Sequence, residues 1–119
     1  PGSGVHRLPR HIPIKIAMGM ILTGRRISAE EALNLGLINE VVPIENLMPT
    51  AQRWADEILQ IAPLSARAAK QMILSGLDSP LNIAITRKYS EWEKAQNSED
   101  IIEGPRAFSE KRKPHWSGY

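Results

Sequence analysis

The chain has 119 residues, 15 Lys plus Arg against 13 Asp plus Glu for a net charge of +2, and no cysteine. One domain at most fits that length. Disulfides and thiolate metal sites are excluded, and so weak a positive charge does not by itself point to nucleic acid. An apolar share of 42% with 24% charged residues is that of an ordinary globular chain rather than a disordered one.

Basic residues gather at Arg7, Arg10 and Lys15 and again at Lys111, Arg112 and Lys113; clusters of this size are ordinary solvated faces. No apolar run reaches the roughly 18 residues needed to span a bilayer. The first residues lack the basic, apolar and small-residue order of a signal peptide. A chain that opens on Pro1-Gly2-Ser3-Gly4 without Met reads as a processed, truncated or engineered product. The lack of cysteine fits a reducing compartment, and the expected location is cytoplasmic.

Most of the chain reads as helix. Ile14 to Leu22 is apolar at nearly every position, so the helix there is expected to be buried on all sides, with Gly24 as its stop. Ser28-Ala29-Glu30-Glu31 forms a capping box in which the Ser28 hydroxyl and the Glu31 carboxylate cover free backbone N–H groups. The short helix it opens ends at Gly36, a left-handed cap. Leu37 to Val42 is a short β-branched stretch closed by Pro43, expected as an extended segment or a single short strand. Leu47, Ala51, Trp54, Ala55, Ile58, Leu59 and Ala62 recur every three or four residues and predict an amphipathic helix. Pro63 ends it and begins the next, marked by Leu64, Ala68, Met72, Ile73 and Leu77 and closed by Gly76 and the Asp78-Ser79-Pro80 turn. Pro80 starts a third helix carrying Leu81, Ala84, Ile85, Tyr89, Trp92 and Ala95 on one face. Ser98 caps a fourth, which Gly104-Pro105 is expected to interrupt or kink because Pro105 cannot bond back to Ile101. The sum is a mainly α protein with at most one short strand.

No motif here carries an enzyme mechanism by itself. His6, His11 and His115 are far apart and lack metal-ligand spacing, so no metal is expected. There is no nucleophile elbow, P-loop or dinucleotide fingerprint. Glu30, Glu31, Asp56, Glu57, Glu91 and Glu93 sit at helix starts or on solvated faces, and none forms a recognisable acid–base pair. For Trp54 and Trp92, on apolar helix faces, core packing is the default and ligand contact the alternative.

Three stretches together resemble the crotonase (enoyl-CoA hydratase/isomerase) superfamily. The first is Pro1 to Arg10, similar to a glycine-rich turn followed by an Arg-Leu-Pro-Arg helix. The second is Met20 to Ala32, followed by Gly36 to Pro43. The third runs from Ser98-Glu99-Asp100 through Glu103-Gly104 to the closing Ala107 to Pro114. Within the superfamily, Ser98 to Pro105 and the ending Pro114-His115-Trp116 most resemble carnitinyl-CoA dehydratase-like members.

The resemblance implies the helical C-terminal region of a crotonase fold, with residues 1–43 as the end of the core domain and 44–119 as the trimerisation region. It implies an acyl-CoA substrate, coenzyme A being part of that substrate and not a separate cofactor. It also implies a homo-oligomer, trimer or hexamer, with no nucleic acid or membrane partner. The oxyanion-hole segments and the catalytic glutamates of the family lie upstream of Pro1, so no catalytic residue is expected in this chain. By position, Lys111 matches a lysine that meets CoA phosphates, Phe108 flanks the CoA, Trp92 falls at an acyl-pocket aromatic, and Gly2 matches an active-site turn glycine, in a turn one residue shorter than the usual double-glycine form. For Lys111 a helix-end lysine offsetting the dipole is the alternative. Two other readings remain beside the enzyme: a non-catalytic helical oligomerisation module and a small basic nucleic-acid binder.

Overall fold

A computed structural model describes residues 2–119. Among those residues lie eight α-helices: α1 (Gly4–His11), α2 (Ile14–Thr23), α3 (Ala29–Asn34), α4 (Leu47–Leu59), α5 (Pro63–Gly76), α6 (Leu81–Thr86), α7 (Ser90–Gln96) and α8 (Asp100–Ser109). A turn of 3-10 helix, Ile44–Asn46, leads into α4. No described residue is in a β-strand. Leu37 to Val42 is bend and irregular backbone, because a strand needs a partner edge. The chain forms two compact units, one running to Met48 and the other from Pro49 to Tyr119.

In the first unit α1 packs on α2, with Ile12 and Ala17 buried. The all-apolar helix forms where the sequence places it and ends on Gly24 at φ 68°, but its expected burial is not met within this chain. Only Ala17 is covered, while Ile14, Met18 and Leu22 are exposed by 61%, 51% and 77%. Continuous hydrophobicity specifies that a helix will be surrounded, not what surrounds it.

The α3 capping box is present in half. Ser28 Oγ accepts from the Glu31 N–H at 3.1 Å, but the Glu31 carboxylate turns to Arg25 at 2.5 Å. Glu30 takes the place beside Ser28, its carboxyl lowered by its own backbone N–H and then by the Ser28 side chain. The exit matches expectation. Gly36, at φ 70°, donates to Leu33 O and Leu37 donates to Ala32 O, both at 2.9 Å, which is a Schellman closure.

In the second unit α5 packs chiefly against α7 and more lightly against α6. Pro63 is the first residue of α5, where its missing N–H leaves no bond unmade. α4 forms over the predicted periodicity but buries no residue. Trp54 is 38% exposed, with Arg53 stacked 5.2 Å from its ring centre, so core packing is not its role here.

The third predicted helix is two. α6 stops at Thr86, Arg87 and Tyr89 turn extended, and α7 starts at Ser90. Tyr89 is the cause. Its ring is buried and its hydroxyl donates to Ala84 O at 2.9 Å. A continuous helix would carry that ring away from the Gly76 end of α5, where a Cβ would stand 3.7 Å from the hydroxyl. The break leaves the start of α7 without a local cap, and Gln71 of α5 supplies one. Its Oε1 accepts from Glu91 N–H at 3.0 Å and its Nε2 donates to Ser90 Oγ at 3.1 Å.

α8, by contrast, is not interrupted where the sequence led one to expect it. It runs through Pro105, and the small Gly104 admits the Trp116 ring, which would lie 3.5 Å from a Cβ there. Ser98 does not cap it: its buried hydroxyl donates back to Ala95 O at 2.7 Å.

Candidate functional site

The richest polar constellation among the described residues joins α8 to the segment that follows it. Asp100, buried at the start of α8, accepts at Oδ1 from Ser117 N–H (2.7 Å) and Ser117 Oγ (3.1 Å) and at Oδ2 from Gly118 N–H (3.1 Å). One turn on, Glu103 takes a two-pronged contact from Arg112, at 2.6 and 2.9 Å, and the His115 N–H at 2.7 Å. Arg112 also donates to Glu110 at 2.5 Å. Trp116 Nε1 donates to Gln60 O at 2.8 Å, fixing the tail to the α4–α5 turn. The charged groups border a groove of about 340 Å³ lined by Glu99, Asp100, Glu103, Arg106, Arg112 and His115, among others.

These contacts set the electrostatics. The Arg112 hydrogen bonds, then the His115 N–H, lower the Glu103 carboxyl from the usual 4.5 to about 2. Glu103 and Glu110 together raise the already basic Arg112 guanidinium further. A carboxyl depressed on folding stabilises the fold above its unfolded value and loses that effect as pH falls through its folded value. The Glu103 latch is therefore complete above pH 4.5 and released as pH falls toward 2. The His115 amide resonance of the folded protein should titrate at the lower end of that range, at about 2, and stay flat in Glu103→Gln. A variant that still titrates there would place the transition elsewhere.

Between α8 and the latch lies Lys111. Its φ of 53° makes it the one non-glycine residue at positive φ among those described. Lys111 N–H donates to Phe108 O at 3.2 Å and Arg112 N–H to Ala107 O at 3.0 Å, a Schellman turn with lysine where glycine is usual. The left-handed backbone costs a side-chain-bearing residue about 1 kcal/mol. Lys111→Gly should therefore raise the unfolding free energy by about 1 kcal/mol; an unchanged or lower melting temperature would show that the turn holds no strain.

Of the expected site residues, Phe108 and Lys111 are brought onto one turn. Phe108 is 87% exposed and Lys111 is exposed too. Trp92 is on α7, the helix that touches α8; at 38% exposed it is not a core residue. Gly2 is in the first unit, exposed just before α1, with open space where a Cβ would project. Asp100, Glu103 and Arg112 were not singled out from the sequence. The nine-residue separation of Glu103 and Arg112 matches no helical pairing rule, and only the turn at Lys111 closes it. Arg112 is thus not part of a free basic cluster. Among the described residues no group of three or more His, Asp or Glu is placed to hold a metal ion, and no helix is long and apolar enough to cross a membrane.

The family model for enoyl-CoA hydratase/isomerase matches residues 1–119. The chain belongs to the enoyl-CoA hydratase/isomerase family. It is 43% identical over 116 residues to (E)-benzylidenesuccinyl-CoA hydratase of Thauera aromatica, covering 98% of this chain and 45% of that protein. It is 40% identical over 123 residues to carnitinyl-CoA dehydratase of Salmonella paratyphi A, covering 98% of this chain and 46% of that one. The crystal structure of an enoyl-CoA hydratase/isomerase from Mycobacterium paratuberculosis superposes with a TM-score of 0.91 at 39% identity, over 99% of this chain and 47% of that one. The chain thus spans a little under half the length of these hydratase/isomerase relatives, and its helices form the helical C-terminal region of the crotonase fold.

Proposed function

We propose that the whole protein is an acyl-CoA hydratase, dehydratase or isomerase acting at the α,β double bond of a CoA thioester, and that this chain is its C-terminal part. The observation that carries this reading is the family match along the full chain, with hydratases and a dehydratase among the relatives. The chain's own contribution is binding. The Lys111 ammonium is an exposed point charge on a fixed turn, suited to a CoA phosphate. Phe108 offers a fully presented apolar face beside it, Trp92 lines the acyl pocket, and Gly2 lies in the active-site turn. Thioester polarisation by backbone N–H groups and proton transfer by carboxylates belong to the preceding half of the enzyme. CoA enters as part of the substrate, and the assembly is a homotrimer or hexamer.

The test is hydration of a short enoyl-CoA, followed by loss of the conjugated thioester absorbance. The enzyme at its natural length should turn over, and residues 1–119 alone should not. Turnover by the shorter chain would overturn the assignment of the chemistry to the other half; no hydration or double-bond shift by the longer protein on any enoyl-CoA would overturn the whole reading.

A second reading has its own observation. Ile14, Met18 and Leu22 on α2, and separately Ile73 on α5, Leu77 just beyond it, and Leu81 and Ile85 on α6, are all exposed. Apolar surface of this kind marks an association face, so the isolated chain would act as a helical oligomerisation module. A monomer by light scattering would rule that out.

A further inference from the structure

We propose that Glu103, acting through Arg112, is a positioning residue that aims the Lys111 side chain at the CoA phosphates. This rests on the reading of Lys111 given above and adds to it a residue that need not touch the substrate.

Lys111 is the hinge between a helix and an irregular tail, and it holds a backbone conformation that lysine does not favour. Two backbone hydrogen bonds close the turn, but such bonds close just as well around a glycine and do not by themselves force a lysine to stay. The added constraint is the next residue. Arg112 is gripped by both Glu103 oxygens, and the same carboxylate holds the His115 N–H beyond it. The carboxylate projects from α8, whose Asp100 and Ala107 are buried. Glu103 therefore fixes the chain on the C-terminal side of Lys111 to the same helix that fixes it on the N-terminal side. With both flanks held, the Lys111 backbone has one orientation and its Cα–Cβ bond leaves the surface in one direction. The planar fork of Arg112 is suited to this task and a lysine would not be, because a point charge does not fix direction. A lysine held this way loses less freedom on meeting a phosphate.

The contrast to exclude is a latch that merely stabilises the tail. The two differ in which substrate they affect. In the enzyme at its natural length, KM and kcat are measured with an enoyl-CoA and with the corresponding enoyl-pantetheine thioester, which lacks the nucleotide phosphates. Lys111→Ala should raise KM for the CoA thioester about fivefold and leave the pantetheine thioester unchanged. Glu103→Gln and Arg112→Lys should shift KM the same way by a smaller factor, with kcat held. In a Lys111→Ala background Glu103→Gln should have no further effect on KM, the signature of one residue acting through another. An equal rise for both thioesters, or a Glu103→Gln effect that persists without Lys111, would reduce the latch to a structural brace. If Lys111→Ala itself leaves both KM values unchanged, the reading of Lys111 as a phosphate contact fails first. A Glu103→Gln protein that does not fold is distinguished by Arg112→Lys, which keeps the charge pair and loses only the fork.

Discussion

Asp100→Ala should lower the unfolding free energy by about 3 kcal/mol, because the substitution strands two backbone N–H groups and a hydroxyl that now share one buried carboxylate. Asp100 is 5% exposed and accepts from Ser117 N–H, Ser117 Oγ and Gly118 N–H. Hydrogen bonds to a charged acceptor contribute about 1.5–3 kcal/mol, and donors left unpaired add their desolvation. Asp100→Asn keeps one acceptor oxygen for the two Ser117 donors and turns an amide toward Gly118, so its loss should be about half as large. Urea denaturation reads this as a shift in midpoint at constant slope. A shift of under about 0.5 kcal/mol for the alanine variant would mean that the tail is held by its other contacts, those of Trp116, the Glu103 latch and Glu99 N–H to Tyr119 O.

Tyr89→Ala should be at least as damaging, at about 3–4 kcal/mol, by removing a buried ring that no neighbour can replace. The ring is 5% exposed, and its hydroxyl sits over Gly76 and bonds to Ala84 O. Tyr89→Phe removes only the hydroxyl and leaves Ala84 O unpaired there, a loss of about 1 kcal/mol. The pair separates packing from hydrogen bonding. Equal losses for the two variants would show that the hydroxyl, not the ring, breaks the predicted third helix into α6 and α7.

Much of this architecture is legible in the sequence because it is local. Gly24 and Gly36 stop their helices at positive φ, Pro63 opens α5, and Ser28 bonds the Glu31 N–H as the capping pattern requires. What was not legible depends on residues far apart along the chain. Tyr89 packs over Gly76 thirteen positions earlier, and Trp116 lies against Gly104 in the helix that runs through Pro105. Glu31 serves Arg25 rather than the helix start, a choice between two good partners that periodicity cannot make. For the site, the resemblance placed Lys111 and Phe108 on what is one turn, but the left-handed lysine and its Glu103 brace come from backbone closure, which residue type does not announce.

The Gln71 bridge also bears on the order in which the chain folds. Seven residues are too few for an isolated helix to persist in water, and the start of α7 is capped by the Gln71 side chain, about twenty positions upstream. α7 is therefore expected to become stable together with α5, which presents Gln71. A peptide of residues 90–96 should be coil in solution, and the Glu91 amide should exchange with solvent only when α5 itself opens, so that the two helices melt as one cooperative unit.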